Sequence, residues 1–517
     1  MDDQGFQQEV TAEWIPEQFL EPMKPLISVK IAGRLVRVRA WRYLVEGITG
    51  HVVPVYLLDT LLSDNSAWDQ TLTDHLYGGD SLYRLCQEVI LGMGGVEMLP
   101  KLGHHHIASY HMNEGHSALL GLALMEQHLG ARPLVSATPD DMNAIRHKCV
   151  FTTHTPVPAG HDKFPLDAVR EVLGESRAVA LQRLGVCTNG ALNMTEMALQ
   201  GSRYINGVAM HHGEVSRNMF PQYPIRAITN GVHAVTWTTP PFQQLYDRHI
   251  PEWREDNLYL RYAIGIPVQE IREVHQRCKR DLFDEVFRRT GQRLDPNVMT
   301  IGFARRAATY KRGDLIFRNR NRLKWIARNS GGLQIVFGGK AHPKDDGGKE
   351  LIRKITEHAQ ALKDSMTVIY LEDFDWQWAP MFYSGADVWL NTPKRPQEAS
   401  GTSGMKAAMN GVPILSILDG WWIEGCFDGV TGWAFGDRLG TGEDEEYEAG
   451  SLYHKLERVI LPMFCSDPDA YARVMRGAIA VNGSFFNTHR MVSQYMANAW
   501  FHEAPSEVSD AGMGHVA

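Results

Sequence analysis

The sequence predicts an α/β protein built from two doubly wound units, and three features carry that prediction. Short apolar runs alternate with helical stretches, the alternation occurs twice along the chain, and polar or Gly-rich segments follow the ends of the apolar runs. Strands that alternate with helices form parallel sheets covered on both faces. The 517 residues leave room for roughly two to four domains at ~150 residues each.

The opening segment is β-rich. ISVKIAGRLVRVRAW (27–41) alternates apolar and polar residues around an Ala-Gly-Arg turn, which predicts a half-buried hairpin, and HVVPVYLLD (51–59) adds a strand. The first α/β unit follows, with strands IASYHM (107–112), CVFTTH (149–154), INGVAM (205–210) and IRAIT (225–229). Between them, 82–99 and 117–130 carry apolar residues at three- and four-residue spacing, as helices do. The Pro/Trp-rich stretch 237–260 and the charged helical region 267–290 separate this unit from the next. The second unit has strands at 298–304, 333–339, 366–372, 387–392 and 413–418, with helices at 315–329 and 349–362. The tail is helical and is placed to pack back on the first unit. Ligands of such sheets sit outside the C-terminal strand ends, so two facing units form a cleft there.

Composition narrows the function classes. Hydrophobic residues make up 44% and charged residues 22%, with 52 Lys+Arg against 60 Asp+Glu. This balance has no concentrated basic face, so nucleic acid is not an expected partner. The longest apolar stretch, ALLGLALM, is too short to span a bilayer, and no membrane partner is expected. Six scattered cysteines without Cys-x-x-Cys spacing read as reduced thiols of a cytoplasmic protein. The His104–His106 triplet with His111 and His116 lacks the spacing of a metal site, so no metal is expected.

The chemistry concentrates in the second unit. EASGTSGMKAAMNG (398–411) follows the strand DVWLNT and feeds small residues into a helix start, where free N–H groups favour an anion. It is not a nucleotide-binding P-loop, because Met405 interrupts the required Gly-Lys pair. GFARRAATYKR (302–312) sets Arg305, Arg306, Lys311 and Arg312 at the same rim, and such cations either face solvent or hold anions. The first unit offers amides, imidazoles and carboxylates at its strand ends: HMNEGH (111–116), THTP (153–156) and TNGVH (229–233). Those groups suit the many hydroxyls of a neutral sugar. No Gly-x-Ser-x-Gly elbow of a serine hydrolase is present.

At these residues the sequence resembles the α-glucan (glycogen/maltodextrin) phosphorylases of the shorter bacterial and archaeal branch. The resemblance runs from about Gly5 to the last helix and rests on YHMNEGHSA, FTTHTPVPAGHD, ITNGVHAVTW, RRAATYKR, VFGGKAHPKD, EASGTSGMK and LDGWWIEG in family order. It implies a GT-B-like fold of two Rossmann-like domains facing across a cleft, and retaining, reversible phosphorolysis of α-1,4-glucan to glucose 1-phosphate. It implies pyridoxal 5′-phosphate as a Schiff base on Lys406. Arg306 and Lys311 then fall where the family binds substrate phosphate, and Arg305, Thr402 and Ser403 where it grips the cofactor's phosphate. Glu398, Ser400 and Gly401, with His154 and Asn230 from the other domain, fall where it binds the reacting glucose.

The implied division is 1–245 (glucan-binding α/β domain), 246–296 (junction and helical region), 297–475 (cofactor- and phosphate-binding α/β domain) and 476–517 (helix returning to the first domain). Glucan and inorganic phosphate are the expected partners, and homodimerisation stays open. Lys406 stands eight positions after Glu398, where nucleotide-sugar transferases of this fold often carry a carboxylate. Phe374 and Asp375 replace the Tyr and Arg of the longer enzymes, so one cofactor contact is expected to be missing. The resemblance joins the family part-way into its first domain: the PxYSGGLG-type segment does not precede Asp2, nor does an extension hosting phosphorylation control. A catalytically silent glucan-binding relative and a nucleotide-sugar glucosyltransferase remain the alternative readings.

Overall fold

The computed structural model describes residues 1–501 apart from 3, 4, 11, 13, 77 and 438–443. The predicted segment 476–517 is thus described as far as Phe501. The hairpin forms as β1 (Glu21–Ile31) and β2 (Arg34–Glu46), joined in an antiparallel three-stranded sheet by β3 (Val52–Asp59). Its alternation buries Val36, Val38 and Ala40 on one face.

A parallel sheet follows, made of β4 (Tyr110–Asn113), β5 (Cys149–Thr152), β6 (Tyr204–Gly207) and β7 (Arg226–Ala227), in the order β7-β6-β5-β4. All four strands are shorter than predicted: IASYHM pairs from Tyr110 and CVFTTH ends at Thr152. INGVAM ends as a strand at Gly207, and Met210 opens a helix, Met210–Met219. IRAIT pairs only at Arg226 and Ala227, after which Ile228 and Asn230 donate to Gly207 and Val208 as loop residues.

The second parallel sheet contains β8 (Met299–Ala304), β9 (Leu333–Gly338), β10 (Thr367–Leu371), β11 (Val388–Asn391), β12 (Ile414–Ile417) and β13 (Gly432–Phe435). The order is β10-β9-β8-β11-β12-β13, so the winding reverses between β8 and β11. Every residue of β8, β9, β11 and β12 is buried, which explains their continuous apolar runs. The short β13 was not predicted: GWAF offers only four residues and opens on Gly432.

One core packs residues between Ile27 and Ile225, and another packs residues between Val232 and Phe486. The long helix α1 (Val268–Thr290) belongs to the second. The chain crosses back at Asn487, which pairs with Val232, and α2 (Thr488–Tyr495) brings Tyr495 onto Val150, Tyr204 and Ile228. At this crossing Gly231 admits no side chain, because a Cβ would lie 2.2 Å from the Asn487 carbonyl oxygen. Among the described residues no helix is long and apolar enough to cross a membrane.

Candidate functional site

The winding of the second sheet reverses between β8 and β11, and the loops leaving these two strands build the site there. Thr392 ties the loops together by donating from its hydroxyl to the carbonyls of Lys311 (2.7 Å) and Arg312 (2.8 Å). Arg312, in the left-handed region at φ 44°, returns bonds to the carbonyls of Thr392 (3.1 Å) and Pro393 (2.8 Å). Its remaining nitrogen pairs with buried Glu448 at 2.6 Å.

Held this way, Lys311 Nζ donates to both oxygens of Glu398, at 3.0 and 2.7 Å, and Arg305 donates to the same carboxylate. Glu398 is buried, which opposes its charge, but Arg305 and Lys311 outweigh burial and hold its carboxyl down at about 2. Burial first, then the positive charge of Arg305, pulls Lys311 down to about 7 despite its bond to Glu398. The Glu398 N–H donates to Asp419 Oδ2 at 3.0 Å, and burial raises that carboxyl to about 7. A cavity of about 590 Å³ opens beside this pair, and Arg305, Arg306, Lys311, Gly401, Thr402 and Ser403 line it. Among the described residues, the buried Nη1 of Arg305 has no hydrogen-bond partner.

Lys406 lies on a short helix, Ser403–Ala408. Its Nζ is 3.7 Å from the centroid of the Trp237 ring and 5.5 Å from that of Tyr383. Burial lowers its pKa to about 8. Tyr383 is also a wall of the cavity, so the amine sits one ring away from it.

Comparison with known proteins bears on the same residues. Residues 174–426 match a family model described as carbohydrate phosphorylase, a span that contains Arg305, Lys311, Glu398 and Lys406. The chain is 37% identical to the maltodextrin phosphorylase of Thermococcus litoralis, over 96% of this chain and 63% of that protein. It is 34% identical to the glycogen phosphorylase of Mycobacterium tuberculosis, over 89% of this chain and 59% of the relative. For the glycogen phosphorylase of Aquifex aeolicus the identity is 35%, over 86% and 69%. The chain belongs to the carbohydrate phosphorylase family. It spans about three-fifths of the length of the first two relatives.

Among the family residues expected from the sequence, seven meet at the large cavity: Arg305, Arg306, Lys311, Glu398, Gly401, Thr402 and Ser403. Ser400 lines a smaller adjoining recess with Glu398 and Asp419. Lys406, His154 and Asn230 line neither. His154 bonds through its ring to Asn113 and through its backbone N–H to Glu114, and burial lowers its pKa. Asn230 has its carbonyl held by Arg490 at 2.9 Å. A second polar cavity, about 540 Å³, lies at the first sheet's strand ends and includes Arg84, Glu114, His116, Asp162 and Lys344. Phe374 is on the wall of the first cavity, whereas Asp375 turns away to accept from the N–H groups of Gln377 and Trp378.

Sequence reasoning missed Asp419, Glu448, Trp237 and Tyr383. LDGWWIEG carries the signal for Asp419, the first carboxylate of that motif. ITNGVHAVTW ends on Trp237, but nothing in that motif ties the ring to Lys406, and no local pattern marks Glu448, which lies far from Arg312 in sequence.

Proposed function

We propose that this chain is an α-glucan phosphorylase that catalyses reversible, retaining phosphorolysis of α-1,4-glucan to glucose 1-phosphate with pyridoxal 5′-phosphate. The observation that carries the reading is the rim of the second sheet. Arg305, Arg306, Lys311, Thr402, Ser403 and the buried carboxylate of Glu398 converge on one cavity there, with a deprotonation-prone lysine one ring away.

The residues suit the cofactor on two counts. The buried, unpartnered Nη1 of Arg305 calls for an acceptor such as a phosphate oxygen. Lys406 is surrounded by aromatic rings and its pKa is lowered by burial, so a useful fraction is the neutral amine that attacks an aldehyde. Arg305, Thr402 and Ser403 would hold the cofactor's phosphate and Lys406 its ring. When bound, that phosphate supplies a proton donor and acceptor beside the substrate phosphate.

The protein's own residues do the placing. Arg306 and Lys311 hold inorganic phosphate, whose oxygen forms the new bond to the glucose C1 as the glycosidic C1–O bond breaks and the leaving oxygen takes a proton. Glu398, Ser400 and Gly401 bind hydroxyls of that glucose from one sheet, and His154 and Asn230 from the other. The two sheets act as facing GT-B domains, 1–245 and 297–475, joined through 246–296 and by the returning helix. The reading is tested by borohydride reduction and peptide mass spectrometry, followed by assay of phosphate-dependent glucose 1-phosphate release from maltodextrin. Pyridoxal on Lys406 with turnover supports it. An unmodified Lys406 in protein that binds maltodextrin without turnover replaces it with the silent glucan-binding reading.

A further inference from the structure

Asp419 and Glu424 stand five positions apart on one tight turn, and they reach opposite sides of the cleft. At the first end, Asp419 accepts the backbone N–H of Glu398 at 3.0 Å, and the Trp421 N–H donates to the Ser400 carbonyl at 3.0 Å. Gly420, at φ 54°, lets the turn lie against that loop: a Cβ there would be 2.3 Å from the Ser400 oxygen. At the other end, the Glu424 carboxylate accepts the Thr229 hydroxyl at 2.8 and 3.0 Å and the Met210 N–H at 3.0 Å. Arg490 grips the same loop from behind, donating to the carbonyls of Thr229 and Asn230.

The turn between these ends is wound on itself. Trp422 N–H donates to Asp419, and the N–H groups of Glu424 and Gly425 donate to Trp421. Trp421 and Trp422 are buried and pack edge to face, with Trp421 also against Phe486. A short rod of this kind transmits position with little slack, because packed aromatic groups have few alternative arrangements.

We propose that Glu424 is a positioning residue, setting Asn230 of the first sheet at a fixed distance from Glu398 of the second. The assignment rests on the glucan phosphorylase reading, in which both residues bind the same glucose. It does not touch substrate in this role. Its carboxylate fixes the Thr229–Asn230 loop, and the turn carries that constraint to the Glu398–Ser400 loop.

The test compares Glu424→Ala and Glu424→Gln with the unaltered chain. In phosphorolysis of maltodextrin, Glu424→Ala lowers kcat about 10- to 100-fold, the size expected for sub-ångström misplacement of a reacting group. KM for phosphate stays within about twofold, because a uniform loss of structure would move both constants whereas a positioning loss moves kcat. Glu424→Gln keeps an acceptor for Thr229 and recovers most of the rate. Equal loss of kcat and phosphate affinity, or no loss in Glu424→Ala, overturns the assignment.

Hydrogen exchange separates this outcome from failure of the enzymatic reading, since it needs no turnover. Under the proposal, Glu424→Ala speeds exchange in peptides covering 208–230 and also in those covering 396–402, with little change in Glu424→Gln. Faster exchange confined to 208–230 shows a local clasp and overturns the coupling. If the unaltered chain has no phosphorolysis but the paired exchange change occurs, the coupling stands while the enzymatic reading fails.

Discussion

The strand ends of the two sheets solve opposite electrostatic problems. The second sheet keeps charge: Arg305, Arg306 and Lys311 surround one cavity, and Glu398 stays ionised at their centre although it is buried. The first sheet holds its histidines neutral. Burial lowers the pKa of His116, His154 and His161, and takes His111 and His212 down to about 4. Neutral imidazoles both donate and accept hydrogen bonds, as sugar hydroxyls require. Fixed cations bind anions and gain strength where water is excluded. Under the proposed function, the contrast supports phosphate at the second rim, with neutral imidazoles at the first as partners for the glucan's hydroxyls.

Lys406→Ala is the harshest test of that division. Pyridoxal attachment and phosphorolysis should both be lost completely, whereas maltodextrin binding measured by calorimetry should stay close to that of the unaltered chain. Loss of maltodextrin binding alongside turnover would show that the two rims are not separable. Retained turnover would show that Lys406 does not carry the cofactor.

Glu398→Gln sharpens the comparison because its two consequences have opposite signs. The carboxylate competes with an anion for Arg305 and Lys311, so neutralising it at pH 6 should tighten sulfate binding. The same change removes a charged acceptor for a glucose hydroxyl and should lower turnover roughly 10- to 100-fold. Calorimetry with sulfate and an initial-rate assay read the two effects separately. If sulfate binding weakened, Glu398 would be organising the cations and not competing for them.

Much of this contrast could be read in the sequence, because it depends on residues that lie together along the chain. RRAATYKR and EASGTSGMK each place their functional groups within a few residues of a strand end, and a parallel sheet brings those ends to one rim. The continuous apolar runs of β8, β9, β11 and β12 were equally legible, since burial on both faces leaves no alternation to interpret. What stayed hidden was support from distant segments. Glu448 neutralises Arg312, Trp237 covers Lys406, and Glu424 holds Thr229, and none of these partners is local. The ends of β6 and β7 elude the pattern for another reason: Ile228 and Asn230 keep backbone bonds to the neighbouring segment after the strand pairing has ended. Apolar pattern alone does not distinguish those loop bonds from a continuing ladder.

The mildest expected effect concerns protonation of the phosphate rim. Burial and Arg305 bring Lys311 down to about 7, so its ammonium is lost as pH rises through neutrality. Around it lie Arg305, Arg306 and Glu398, with the Tyr310 ring 4.5 Å from Nζ. The guanidinium groups keep their charge across this range, Glu398 is ionised well below it, and burial raises the Tyr310 hydroxyl. Two groups near this rim titrate around pH 7, Lys311 among the cations and Asp419 behind the Glu398 backbone, and of the two it is Lys311 that lines the cavity. Sulfate has constant charge from pH 6 to 9, so its affinity reports the protein and not the ligand. It should be nearly flat below pH 7 and then weaken by at most about tenfold per pH unit, as loss of one required proton dictates. Lys311→Arg should abolish that slope, because arginine does not deprotonate in this range. A slope that persists in Lys311→Arg would place the titrating group elsewhere. A flat profile in the unaltered chain would show that Glu398 holds the Lys311 proton more tightly than burial and the neighbouring guanidinium groups expel it.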